Sequence, residues 1–412
     1  MRIAYIVPYV PNQIRTRSYN LISHLSKLGH EVDVFTVGSN RTDQQDAELL
    51  TTRCAKVVYY DQPLWRSLAN SVRASFSARP LQSVYSWQPD LAKHLVKLFV
   101  ERNVAFYDAI HVEHLRGSQY GVLLKSKFPK ETVVWDSVDC ISYLFQQASS
   151  QSNNAFSRLI TRFELHRTRR MEGRLLGQFD HVLVTSPVDR KALLALAREG
   201  TRPAPVSVLS NGVDQEFFHP NPDIKREPDT LVFTGKMSYH ANISMASYLV
   251  TEIMPRIWKK RPTAHLYIVG KDPSSTVQDL GKHPLITVTG TVDDIRPFLW
   301  RATIAVVPLL YGAGIQNKIL EAMATSTPVV TTTGALSGFQ SEVGKGLVTA
   351  KGSESFAEAI LQLIDNQGFQ REIGSAGRIY VQDHHSWTSI VSQLVDIYQL
   401  AQYGTNFSLN AR

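Results

Sequence analysis

TIAVVPLLYGAGIQNKILEAMATSTPVVTTT, residues 303–333, carries a strand, a glycine loop, a helix and a second strand in one run. The flanking runs TIAVVP and PVVTTT are short, continuous and β-branched, as buried parallel strands are. A strand–helix–strand unit of this kind builds a parallel sheet with the helix on its face. The charges of the helix run against expectation. Lys318 falls in its first turn and Glu321 follows three residues later. A helix dipole favours acids at the N-terminus, and a Glu–Lys pair does better with Glu first. An anion seated on the glycine loop would account for the cation. A solvated Lys–Glu pair, worth about 0.2–0.5 kcal/mol, is the plain alternative.

The same alternation extends in both directions. Upstream, RIAYIV, EVDVFTV, AKVVYY, DAIHVE, TVVWD, HVLVTS and VSVLS read as strands, and several are separated by amphipathic stretches. In RTRSYNLISHLSKLG, Leu21, Leu25 and Leu28 fit helical spacing and Gly29 reads as the helix end. Downstream the strands are TLVFTG, AHLYIVG, LITVTG, TIAVVP, PVVTTT and GLVTA. Each half therefore reads as one Rossmann-like α/β domain. The expected division is 1–210, 211–385 and 386–412. The Pro-rich polar stretch from His219 to Asp229 reads as a linker, and the last segment as an amphipathic helix packing back across the domain junction.

A chain of 412 residues, 43% hydrophobic, has material for two cores. Its two cysteines, Cys54 and Cys140, are far apart, which argues against a disulfide framework or thiolate metal site and fits a reducing cytoplasm. No apolar run reaches the roughly 18–20 residues of a membrane span. Pro8 interrupts the apolar N-terminal stretch, which reads as a buried strand and not a signal peptide. The first 210 residues hold 27 Lys and Arg against 18 Asp and Glu; the remainder hold 17 against 18. The basic excess thus belongs to one half, which suits an anionic surface or substrate.

Ligands of open α/β sheets bind at the carboxyl ends of strands, against helix N-termini. Gly312 and Gly314 follow TIAVVP at such an edge, where glycine lets backbone N–H groups approach a diphosphate. Lys318 would neutralise phosphate, and Glu321 would accept hydrogen bonds from sugar hydroxyls. FTGKMSYHAN supplies Gly235 and Lys236 at a neighbouring strand end, and VTGTVDD, with Val292, a third loop whose backbone suits a base.

GAGIQNKILEAMATSTPVV, NGVDQEFF, FTGKMSYHAN and HLYIVG together resemble a family 4 glycosyltransferase of the GT-B fold, two Rossmann-like domains facing a cleft. The likeness is closest to bacterial sugar transferases of exopolysaccharide assembly and is strongest over residues 205–335. It implies retaining transfer of a sugar from a nucleotide diphosphate sugar to a glycan or lipid-linked hydroxyl, with neither cofactor nor metal. By this resemblance Glu321 matches the second of two donor-site glutamates and would bind the ribose. The first glutamate matches Ala313, so backbone N–H groups at Gly314 and Ile315 would take over its role. The family's phosphate-binding arginine matches Lys236; a usual lysine five residues later matches Ala241, leaving Lys318 as the substitute cation.

In the first half, Arg15 and Arg17 follow the first strand and offer contacts to phosphate or an anionic acceptor. DAIHVEHLRGSQYG places His111, Glu113 and His114 at a strand end, and VVWDSVDCIS places Asp136 and Asp139 at the next. Asp136, Asp139 or His111 would orient the acceptor hydroxyl or take its proton; N-caps and Asx turns are the structural alternative for the aspartates. His111 and His114 lack metal-ligand spacing. Residues 154–179 form a basic helical stretch in which Phe156, Leu159, Ile160 and Phe163 share a face, suited to anionic lipid or to a packed helix with a solvated basic side. No recognition motif for nucleic acid accompanies the charge. The expected protein is a cytoplasmic glycosyltransferase, with a peripheral place on the inner membrane face open to it. Its rivals are a nucleotide-sugar epimerase and a non-catalytic nucleotide-sugar-binding protein.

Overall fold

The computed structural model describes residues 1–101, 106–151, 155–198, 200, 202–310, 315–339 and 341–409. The chain divides into two compact units, one made of residues 1–210 with 387–412 and the other of residues 211–386.

The first unit is built on seven strands: β1 (Arg2–Val7), β2 (Glu31–Gly38), β3 (Lys56–Asp61), β4 (Ala109–Glu113), β5 (Val133–Val138), β6 (His181–Val184) and β7 (Val206–Val208). They pair in the order β3-β2-β1-β4-β5-β6-β7, every pair parallel. The pleat sends Ile3, Tyr5 and Val7 into one core and Ala4 and Ile6 into another, so both faces are covered. The six strands of the second unit are β8 (Thr230–Thr234), β9 (His265–Val269), β10 (Ile286–Val288), β11 (Ile304–Val307), β12 (Val329–Thr332) and β13 (Val348–Ala350). Their order is β10-β9-β8-β11-β12-β13, again all parallel. Strand order reverses between β1 and β4, and between β8 and β11. Such switch points open the crevices where ligands of α/β sheets bind.

The helix Thr16–Lys27 buries Leu21 and Leu25, as its spacing predicts, whereas Leu28 is the exposed C-cap. Gly29 takes φ 85° beyond it and its N–H returns to Ser26 O at 3.0 Å. The final helix, Trp387–Leu409, belongs to the first unit. Its Trp387, Ile390, Val391, Leu394 and Tyr398 join Leu21, Ile22 and Leu25 in one apolar cluster.

The polar stretch 219–229 is not a free linker. It is clamped into the second unit where the strands begin. Arg226 donates to Ala302 O (2.6 Å) and Ser326 O (2.8 Å), Glu227 N donates to Arg301 O (2.7 Å), and Trp300 Nε1 donates to His219 O (2.7 Å). Its polar groups are partners for carbonyls that precede β11 and β12. The helix Ala155–Leu175 is also only in part a surface helix, because Arg167, Thr168, Glu172 and Leu175 are buried. Glu172 accepts from the N–H groups of Ile141 (2.7 Å) and Ser142 (3.1 Å), at the start of the helix Ile141–Gln151. The side chains of Phe156, Leu159 and Ile160, the apolar face named from sequence, lie outside the described residues.

Candidate functional site

β8 is buried throughout and stops at Gly235, whose φ is 153°. A Cβ there would lie 2.7 Å from Asn242 Nδ2 and 3.3 Å from Lys318 Nζ. β9 stops at Gly270, φ 147°, where a Cβ would fall 1.8 Å from the carbonyl oxygen of Gly235. Two strand ends thus abut backbone on backbone, which glycine alone permits at both places.

Asn242, buried in the helix His240–Tyr248, joins the neighbouring pieces. Its Oδ1 accepts from Lys318 Nζ at 2.6 Å and its Nδ2 donates to Lys236 O at 2.9 Å. The Lys318 ammonium lies 4.7 Å over the Phe233 ring. Burial pushes the Lys318 pKa down to about 8, with the Glu321 carboxyl pulling the other way. Burial likewise pushes Glu321 up to about 7, against the pull of Lys318. The helix that carries both, Asn317–Ala324, turns Ile319, Leu320, Ala322 and Met323 into the core. Its N-cap residue, Gln316, makes no side-chain cap, its first turn holds no acid, and Ile319 N donates to Gln316 O at 2.9 Å.

Lys236 is exposed, with its ammonium 3.8 Å from Asp272 in a loose surface pair. Val292 is half-buried against the core in the loop after β10, and Ile315 is buried. Gly312, Ala313 and Gly314 lie outside the described residues. Asn242 and Gly270 are absent from the sequence-based set. Both stood inside the motifs FTGKMSYHAN and HLYIVG, but their partners are distant in the chain.

The carboxyl ends of β1, β4 and β5 gather a second polar group. Arg17, buried, donates through Nε to Asp136 Oδ2 (2.9 Å), lies 2.8 Å from the same oxygen through Nη2, and donates to Leu209 O (3.1 Å). It is therefore not the cation reaching outward for phosphate that the sequence suggests. His111 is wholly buried, stacked on Tyr5 at 4.2 Å and bonded through Nδ1 to the Tyr398 hydroxyl at 2.8 Å. Burial holds its pKa down to about 4, so the ring is neutral. Glu113 accepts from Tyr5 (2.7 Å) and Tyr9, and burial raises its pKa. Asp136 is itself fully buried.

Asp139 differs from these. It is part-exposed and accepts from Thr185 Oγ1 at 3.3 Å; burial and nearby Asp189 raise its pKa. A bulge in β5 sets its position. The register slips between Asp136 and Val138, and Val138 takes φ 67°, a strained conformation for a β-branched residue. His114, at the end of β4, is strained too, with φ 63°. Two non-glycine residues with positive φ thus stand at adjacent strand ends. Among the described residues no cluster of His, Cys, Asp or Glu is arranged to hold a metal ion.

The model of the glycosyl transferases group 1 family matches residues 228–366, and that of Glycosyltransferase Family 4 matches residues 14–217. An uncharacterized glycosyltransferase of Methanocaldococcus jannaschii is 24% identical, over 97% of this chain and 98% of that protein. An uncharacterized 44.6 kDa protein in the cps region of Klebsiella pneumoniae is 21% identical, over 90% and 92%. Among solved structures, HepE of Anabaena in complex with UDP and glucose superposes with TM-score 0.67 at 16% identity, covering 97% of this chain and 99% of its own. With a Family 4 model on its first sheet and a group 1 model on its second, the chain belongs to the family 4/group 1 glycosyltransferases of the GT-B fold.

Proposed function

We propose that this glycosyltransferase takes its sugar from a nucleotide diphosphate sugar and passes it, with retention, to a hydroxyl of a glycan or lipid-linked acceptor. One observation carries the donor site: the Lys318 ammonium is held at the β8–β11 switch point, beside Gly235 and close to helical N–H groups, in surroundings that disfavour its charge. A diphosphate there adds counter-charge to that of Glu321. Glu321, one turn deeper, receives the ribose hydroxyls. The bond from C1 to the diphosphate oxygen breaks as the acceptor oxygen bonds to C1, and the hydroxyl proton leaves to Asp139 or to the departing phosphate. Lys318 and the N–H groups stabilise the charge that grows on the leaving group, so the reading needs no metal. HepE, which holds UDP and glucose, favours a uridine nucleotide, and the cps-region relative favours a polysaccharide acceptor.

The test is calorimetric titration with UDP-, GDP- and ADP-sugars, followed by turnover assays. One nucleotide class should bind, and Lys318→Ala and Glu321→Ala should each weaken it by about ten- to a hundredfold with the fold intact. Unchanged affinity in both variants refutes the site. Conversion of the donor with no acceptor would make the protein an epimerase. Tight binding with no turnover on any acceptor would make it a binding protein.

A further inference from the structure

The helix Leu64–Ser75 is turned inside out. Its inward face is small or polar: Ser67 and Ala74 are buried, and Asn70 donates to Trp87 O at 2.9 Å. Its outward face carries Leu64, Trp65, Leu68, Val72 and, just past its end, Phe76, all between 59% and 90% exposed. At 100° per residue these five side chains fall within one third of the circumference, along a ridge about 18 Å long. Phe163 extends the ridge. It is 56% exposed, and the Arg167 guanidinium, 4.0 Å over its ring, also donates to Ser75 O at 2.8 Å. A scattered exposed leucine needs no explanation, but a continuous ridge of large apolar side chains marks an interaction surface.

Charge selects the partner. The helix contains no acid, and the exposed Arg73 borders the ridge on one flank, whereas Arg66, between the ridge and the buried face, is half-buried and donates to Gln88 Oε1 at 2.7 Å. Arg79 follows it closely and is exposed. The first 210 residues hold nine more basic than acidic side chains. A second copy docked by a two-fold axis would bring this ridge against itself and set the same arginines near one another. An apolar ridge with a Trp on it and arginines beside it matches instead a layer of anionic headgroups over acyl chains. We propose that the helix Leu64–Ser75, with Phe76 and Phe163, docks the first unit on an anionic lipid bilayer. Docking of this kind needs neither donor nor turnover.

Full-length protein is centrifuged with sucrose-loaded vesicles of phosphatidylcholine alone or with roughly one-third phosphatidylglycerol, at low and high salt. It should sediment with the anionic vesicles and be released by salt. Leu68→Ser/Phe76→Ser should bind them at least about tenfold more weakly, and Arg73→Gln should show a shallower salt dependence. These side chains are exposed, so the melting temperature and donor affinity of the variants should match wild type. Two results overturn docking: wild-type protein that stays in the supernatant with anionic vesicles, or a double variant that binds as wild type does. A concentration-dependent dimer in analytical ultracentrifugation, abolished by the double variant while vesicle binding persists, would assign the ridge to a second copy.

Discussion

At the scale of single residues, Lys318 and Glu321 should make the proposed donor site sensitive to pH. Lys318 titrates near 8 and Glu321 near 7 when the pocket is unliganded. A diphosphate favours the charged lysine and raises its pKa, so binding takes up a proton once the pH exceeds about 8. Ribose hydroxyls favour the ionised glutamate. Donor affinity should therefore peak between about pH 7 and 8 and fall up to about tenfold per unit above that range. Calorimetry in two buffers of different ionisation enthalpy measures the proton uptake directly, and Lys318→Met should remove the alkaline limb. Lys318 stood out in the sequence because its charge contradicted its place on a helix. Asn242 gave no such signal: an asparagine in a helix is ordinary until the fold sets it 2.6 Å from a lysine 76 residues away.

Among the elements, the strands were the most legible part. Runs rich in β-branched residues between turn signals gave the thirteen strands found among the described residues, and the inner ones, covered on both faces, have no polar side to obscure them. The helix Leu64–Ser75 shows the limit. Its periodicity is plain in LWRSLANSVRAS, yet period alone does not say which face is inside, and here the apolar one is not. The stretch 219–229 misled for a related reason, since polarity suits a solvated linker and a hydrogen-bonded strap equally. Arg17 belongs to this scale too, because it ties the first helix to the end of β5. Arg17→Met leaves Asp136 buried and uncompensated and should cost about 3–5 kcal/mol in denaturant unfolding. The double variant Arg17→Met/Asp136→Leu should recover much of that loss. A loss that remains in full would place the role of Arg17 outside the pair.

For the molecule as a whole, buried ionisable groups should set an acid-side optimum of stability. His111, His114, His181 and His385 are held down to about 4 by burial. Between pH 4 and about 6.5 they bind fewer protons folded than unfolded, so this contribution to stability rises with pH. Glu172 and Glu321, held up to about 7, with Glu113 and Asp139 raised in the same direction, do the opposite. They bind more protons folded than unfolded, and their contribution falls as pH rises from about 4.5 through 7. The two sets oppose each other up to about pH 6.5, beyond which only the carboxyls still titrate. The melting temperature should be nearly level from about pH 5 to 6.5 and then decline towards pH 8. Glu172→Gln should lessen the decline, and a melting temperature that climbs steadily from pH 6 to 8 would contradict the assignment.

The return of the chain to its first unit has a consequence for biosynthesis. Leu21, Ile22 and Leu25 leave the ribosome before the second unit is made, but Trp387, Ile390 and Leu394, which cover them, follow it. Nascent protein must carry that uncovered leucine-rich surface while the entire intervening unit is translated. Its capture by a chaperone, or its aggregation when elongation stalls, is the hazard this connectivity builds in.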